Sequence, residues 1–183
     1  QSYQCLEEME EWEDQLDAAL TALPILGCVF KKTYFDPAMG RNVSEYRSPE
    51  HVVINYFAKS MESAPRITDV LEYYPNEIRE KVLTGIYRDI EFGDSVKRLR
   101  ENQDNSDDED QSHVFLEQHC WLDLDADGLK EPYIVTVHFD TQKVVRIKTR
   151  FRGDRIKSNE REIVRIEPEH YFTKYPFMKS PDG

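Results

Sequence analysis

From Tyr3 to Leu23 the apolar residues Cys5, Met9, Trp12, Leu16, Leu20 and Leu23 recur every three or four positions, with Glu7, Glu8, Glu10, Glu11, Glu13 and Asp14 between them. That period lays one apolar stripe along a helix, which Pro24 and Gly27 are expected to end. Its acid-rich first half suits the positive end of the helix dipole, and the surplus carboxylates read as a solvated face or a docking face for a basic partner. The period then changes to two. Val29 to Phe35 runs into the turn Asp36-Pro37-Ala38-Met39-Gly40, and Asn42 to Arg47 can return beside it as a hairpin. Strands are expected at His51–Tyr56 and Arg66–Tyr74, with one helical turn at Ser60–Ala64 between them. After Pro75, Ile78, Val82, Leu83, Ile86 and Tyr87 mark a second amphipathic helix, and Asp94 to Arg100 a weaker third.

Residues 101–112 contain no apolar side chain and are expected to form a mobile acidic loop. Val114 to Leu124 and Tyr133 to Phe139 are then joined through Asp127-Gly128, the strongest short-range signal of a hairpin. If Asp123 pairs with Glu131, Trp121 faces Tyr133 and Phe115 faces Phe139, so Val135 and Val137 share their core face. Asp140 to Lys143 makes the next turn. Val145, Ile147, Thr149 and Phe151 then alternate with Arg146, Lys148 and Arg150, and Ile163–Ile166 is a short last strand before the aromatic stretch Tyr171–Phe177. The fold expected is α+β, with amphipathic helices packed on antiparallel hairpins and a meander. Residues 1–100 would supply a helix, a hairpin and a helical segment, 101–112 the acidic loop, and 113–183 the meander with its aromatic end, all in one compact unit.

Composition narrows the classes. With 183 residues the chain can build a real core, and 36 acidic against 24 basic residues leave a formal net charge of -12. Bulk charge therefore opposes binding to nucleic acid. The three cysteines, Cys5, Cys28 and Cys120, are odd in number and far apart, which argues against a disulfide framework and for reduced, buried thiols in a cytoplasmic protein. No apolar run approaches the roughly 20 residues of a membrane span. The chain starts with Gln and stops at Ser180-Pro181-Asp182-Gly183, a turn sequence that usually leads into another element, so a piece of a longer polypeptide is expected.

Two constellations carry candidate chemistry. Asp123, Asp125, Asp127 and Glu131 put four carboxylates into nine residues, and with the Leu129 carbonyl they match much of a calcium loop. The twelfth position, where an EF-hand has Glu, is Ile134, and the pattern is closer to the hairpin-borne calcium loops of β-propeller repeats. The plain alternative is a set of Asx turns partly neutralised by Lys130. The second constellation is the basic stripe Lys143, Arg146, Lys148, Arg150 and Arg152, which reads as a subunit or DNA contact or as a charged edge strand that discourages aggregation. As a strand, Arg146 to Arg152 would span about 20 Å. His119 and His138 could form a metal pair across the hairpin, but the expected register points them to opposite faces. No phosphate loop, nucleophile elbow or convergent acidic cluster is readable, so no catalysis is expected.

The segments Leu122 to His138 and His170 to Tyr175, followed by Ser180-Pro181-Asp182-Gly183, resemble portal proteins of short-tailed phages and related prophages. Leu23 to Gly27, Lys32 to Asp36, Ser48 to Tyr56 and Ala64 to Thr68 are similar to the same family, so the resemblance covers nearly the whole chain. It implies a dodecameric ring at one capsid vertex, through which a terminase motor drives DNA and to which tail proteins attach. It further implies assembly in the bacterial host cytoplasm, residence in the virion, capsid proteins as partners, and no catalysis by the portal itself. This chain would belong to the outer α+β wing. The long tunnel-lining helices and the terminase-facing clip have no counterpart in it. Two readings from other classes stay open: a calcium-dependent binding module and a metal-dependent nuclease.

Overall fold

The computed structural model describes residues 9, 11–36, 39–92, 111–158 and 163–178. The first part of the expected N-terminal helix, the expected helix at Asp94–Arg100, residues 101–110 and the Ser180–Gly183 end lie outside them. The described residues form an α+β fold: α1 (Trp12–Leu26), β1 (Cys28–Asp36), β2 (Arg41–Arg47), β3 (Val52–Ile54), β4 (Arg66–Tyr73), α2 (Pro75–Leu83), β5 (His113–Leu122), β6 (Glu131–His138), β7 (Val144–Thr149), β8 (Ile156–Ser158), β9 (Ile163–Ile166) and β10 (Phe172–Pro176). The helical turn expected at Ser60–Ala64 is a non-helical turn, held by reciprocal bonds between Ser60 and Ser63.

The chain divides into two compact units, Gln1–Ala64 with Glu169–Gly183, and Pro65–Pro168. This corrects the expected single unit and its boundaries. The cut falls near residue 64 rather than 100, and the aromatic end leaves the meander to pair with β1.

In the first unit the strand order is β10-β1-β2, antiparallel throughout, with Lys32 opposite Phe172 on one side and Glu45 on the other. The helix runs through Pro24 to Leu26 and is stopped by Gly27, whose φ of 77° only glycine adopts without strain. Proline costs one backbone bond there, and the helix tolerates it close to its end. Gln15 Oε1 accepts the Tyr46 N–H at 2.7 Å, which ties α1 to β2. Lys31 and Lys32 are buried in β1, and each lays its ammonium over an aromatic ring, Lys31 over Trp12 and Lys32 over Phe172.

In the second unit β4-β5-β6-β7 run side by side as antiparallel neighbours. The hairpin register is one residue away from the expected one: Leu122 opposes Glu131, Trp121 opposes Pro132, Cys120 opposes Tyr133 and Phe115 opposes His138. Burial explains the miss. Val114, Phe115, His119 and Cys120 are all buried in β5, as are Ile134, Val135 and Thr136 in β6, so neither strand alternates cleanly between core and solvent. A strand buried on both faces lacks the two-residue pattern that would specify its register. The observed pairing puts Phe115 at the centre of a core with Leu71, Ile78, Tyr87 and Val145, flanked by Tyr73, Val82, Ile86, Ile90 and Phe92. The ring expected opposite it, Phe139, is 55% exposed.

Candidate functional site

The Asp-rich loop sits at the tip of the β5–β6 hairpin, as its composition demands. Asp123, Asp125 and Asp127 each present an oxygen within 4.8 Å of the others. Asp123 Oδ2 accepts the Gly128 N–H at 3.0 Å, and Asp127 Oδ1 accepts the Leu129 N–H at 2.7 Å. Gly128 has the expected positive φ, 92°, and Ala126 shares the left-handed region at 61°. Glu131 is drawn away from the loop. Its carboxylate accepts the Tyr133 hydroxyl, a bond that with partial burial raises the phenol pKa to about 12. Three of the four expected carboxylates therefore converge, while Glu131 accepts a bond from Tyr133. With two carboxylates already bonded inside the turn, calcium is expected to raise the melting temperature by no more than a few degrees. Asp125→Ala should abolish that rise in a thermal melt run with and without chelator.

The basic stripe does not survive as a continuous surface. A bulge between Thr136 and Val137 lets Val145 drop into the core, and beyond it Arg146 opposes Thr136 and Lys148 opposes Ile134. The arginines thus point to the face that carries Phe115. Ile147, expected inside, is 52% exposed. Arg150, expected outside, is 4% exposed, with its guanidinium 6.0 Å from the Trp121 ring and its N–H donating to the Pro132 carbonyl. Lys143, Lys148 and Arg152 are exposed and Arg146 is half-buried. Lys143 and Lys148 keep exposed charges, Arg146 opposes Thr136 on the core side, and Arg150 is structural.

Two polar groupings in the second unit escaped the sequence. Asp69, Glu117, Thr136 and Arg146 stand opposite one another across β4, β5, β6 and β7, a polar row on the core side of the sheet. His119 Nε2 lies 3.1 Å from Glu117 Oε1 within it. Burial, then the neighbouring Tyr73 and Glu117, push the Tyr87 hydroxyl far above its ordinary range, so that phenol stays neutral beside the row.

The second grouping is at the other end of the same face. The shifted register puts His119 and His138 on one face, against expectation, but His138's neighbour is His113. His113 Nδ1 lies 3.1 Å from His138 Nε2, and Asp140 Oδ2 is 3.8 Å from His138 Nε2. His138 Nδ1 faces the Thr141 hydroxyl at 2.9 Å and the Thr141 backbone N–H at 3.4 Å. Since a backbone N–H can only donate, His138 Nδ1 is the acceptor and its Nε2 carries the proton shared with His113. Burial, reinforced by His113 and opposed by Asp140, lowers the His138 pKa. His113 and Asp140 could be matched from sequence only by extending the hairpin in its true register. Searches with this chain find no matching protein-family model and no matching curated protein.

Proposed function

We propose that this chain forms part of the wing of a portal protein of a short-tailed phage or related prophage, a structural piece of the ring through which DNA enters and leaves the capsid. The observation that carries the reading is the joining of distant resembling segments in one unit. Lys32–Asp36 and His170–Tyr175 are far apart in sequence, yet Lys32 and Phe172 are partners on the adjacent strands β1 and β10. The likeness thus concerns packed neighbours rather than scattered short words.

Exposed apolar side chains fit a ring subunit. Ile25 at the end of α1 is 78% exposed and Met178 is 79% exposed, while Phe177 donates its backbone N–H to the Gly27 carbonyl, so all three lie around the α1–β1 junction. Neighbouring subunits, capsid or tail proteins would cover such surfaces. Lys143 and Lys148, both exposed, would meet an acidic neighbour, and a net charge of -12 keeps passing DNA from adhering. In this reading the chain has no catalytic role and its partners are its own copies, the terminase, and capsid and tail proteins at the virion vertex. A calcium-dependent binding module is the second reading, favoured by the convergence of Asp123, Asp125 and Asp127.

Negative-stain images of the natural polypeptide carrying this sequence are expected to show hollow rings of about twelve subunits. A monodisperse monomer at micromolar concentration would overturn the portal reading.

A further inference from the structure

We propose that His113, His138 and Asp140 form a binding site for a divalent transition-metal ion, with zinc the natural occupant. Each offers one donor atom, and the three atoms lie within 4.8 Å of one another. The site stands apart from the hairpin tip and does not depend on the portal reading.

Donor type and spacing select the ion. Two imidazole nitrogens bound to tetrahedral zinc at about 2.0–2.1 Å stand roughly 3.3 Å apart. His113 Nδ1 and His138 Nε2 are 3.1 Å apart. Asp140 Oδ2, 3.8 Å from His138 Nε2 and within 4.8 Å of the His113 donor, would have to close on His138 Nε2 by about 0.5 Å to complete a triangular face of donors around such an ion. Two nitrogens and one carboxylate suit zinc, cobalt or nickel and disfavour calcium and magnesium, which take oxygen. Water would complete the fourth position of such an ion.

The surroundings hold the donors in place. His138 is fully buried, with the Phe92 ring edge-on at 5.3 Å and Phe115 at 5.0 Å, so its imidazole has little room to turn. Phe92 also packs edge-on against His113, at 6.2 Å. Asp140 is held close by the turn in which Gln142 N–H donates to the His138 carbonyl at 2.9 Å.

The proton inventory closes without a further reactant. Without metal, His138 Nε2–H donates to His113 Nδ1. To coordinate through Nε2, His138 shifts that proton to Nδ1, which then donates to the Thr141 hydroxyl oxygen already 2.9 Å away. The long contact from the Thr141 N–H is given up in exchange. Three coordinate bonds form, from His113 Nδ1, His138 Nε2 and Asp140 Oδ2, and both imidazoles stay neutral. Thr141 becomes the outer partner that orients a metal-bound histidine. The ion would tie the first residue of β5 to the turn after β6.

The test uses the full chain freed of metal with a chelator and titrated with cobalt, then zinc. One equivalent of cobalt should produce the visible absorption of a four-coordinate centre, zinc should remove it, and zinc should raise the melting temperature by several degrees. Asp140 lies on the turn outside the strands, so Asp140→Asn should fold normally while weakening cobalt binding at least tenfold. His113→Gln, checked for folding by circular dichroism, should abolish it, and Thr141→Val should weaken it about tenfold. Asp125→Asn should leave it unchanged. No cobalt spectrum, a spectrum that survives Asp140→Asn, or one lost in Asp125→Asn would each overturn the assignment.

Discussion

Phe115→Ala is expected to destabilise the second unit by about 3–5 kcal/mol, the range for truncating a fully buried aromatic ring. Phe115 is 0% exposed and sits among Leu71, Ile78, Tyr87 and Val145, and its ring packs against Tyr73, Tyr87, Phe92 and His138 at centroid distances of 5.0 to 6.1 Å. Those partners come from β4, α2 and the segment after it, β6 and β7, so none can close the space without moving a whole element. A loss of that size is a large fraction of a typical domain's stability. Phe139→Ala is the matched control. The pairing read from sequence would make the two truncations comparable. With Phe139 half exposed, its loss should stay within about 0.5–1 kcal/mol. Urea midpoints for the two variants, followed by tryptophan fluorescence and far-UV circular dichroism, give both numbers, and equal shifts would show that the observed register is wrong.

Elements were legible where local chemistry dominates. Gly27, the Asp36–Gly40 turn and Pro75 punctuate the chain, and β1, β2, β4 and α2 begin within a residue or two of the expected places. Pro24 misled, because a proline near a helix end removes one bond without stopping the helix. The long-range arrangement was not legible. Phe172 could have closed a core with several partners, and nothing local to it specifies Lys32 as its neighbour. The register failed for a similar reason, since β5 and β6 are buried on both faces and their apolar residues fit either pairing. The one-residue slip then propagated to the candidate sites. It separated Glu131 from the aspartates, turned Arg150 inward, and hid His113 from His138. At the hairpin tip, where composition alone curls the loop, Asp123, Asp125 and Asp127 converge as expected.

His138 should also make the second unit acid-sensitive. A histidine in an unfolded chain titrates near pH 6.5. In the folded unit His138 holds its proton more weakly, first because it is buried among Phe92 and Phe115, then because His113 lies against it, with Asp140 only partly compensating. The unfolded chain therefore binds more protons than the folded one once the pH drops below about 6.5, and stability must fall with pH there. One proton limits the slope to about 1.4 kcal/mol per pH unit, and the contribution is fully present above the unfolded value. Glu62 and Glu167, whose folded pKa values are lowered by hydrogen bonds, contribute only at and below their ordinary value of 4.5. In chelator, urea midpoints should be level from pH 8 to 7 and decline from pH 6.5 to 5. His138→Asn should start less stable at pH 7 and decline less steeply, because the group that titrates is gone. Parallel declines in the two proteins would assign the acid sensitivity to other residues and leave the pair as ordinary packing.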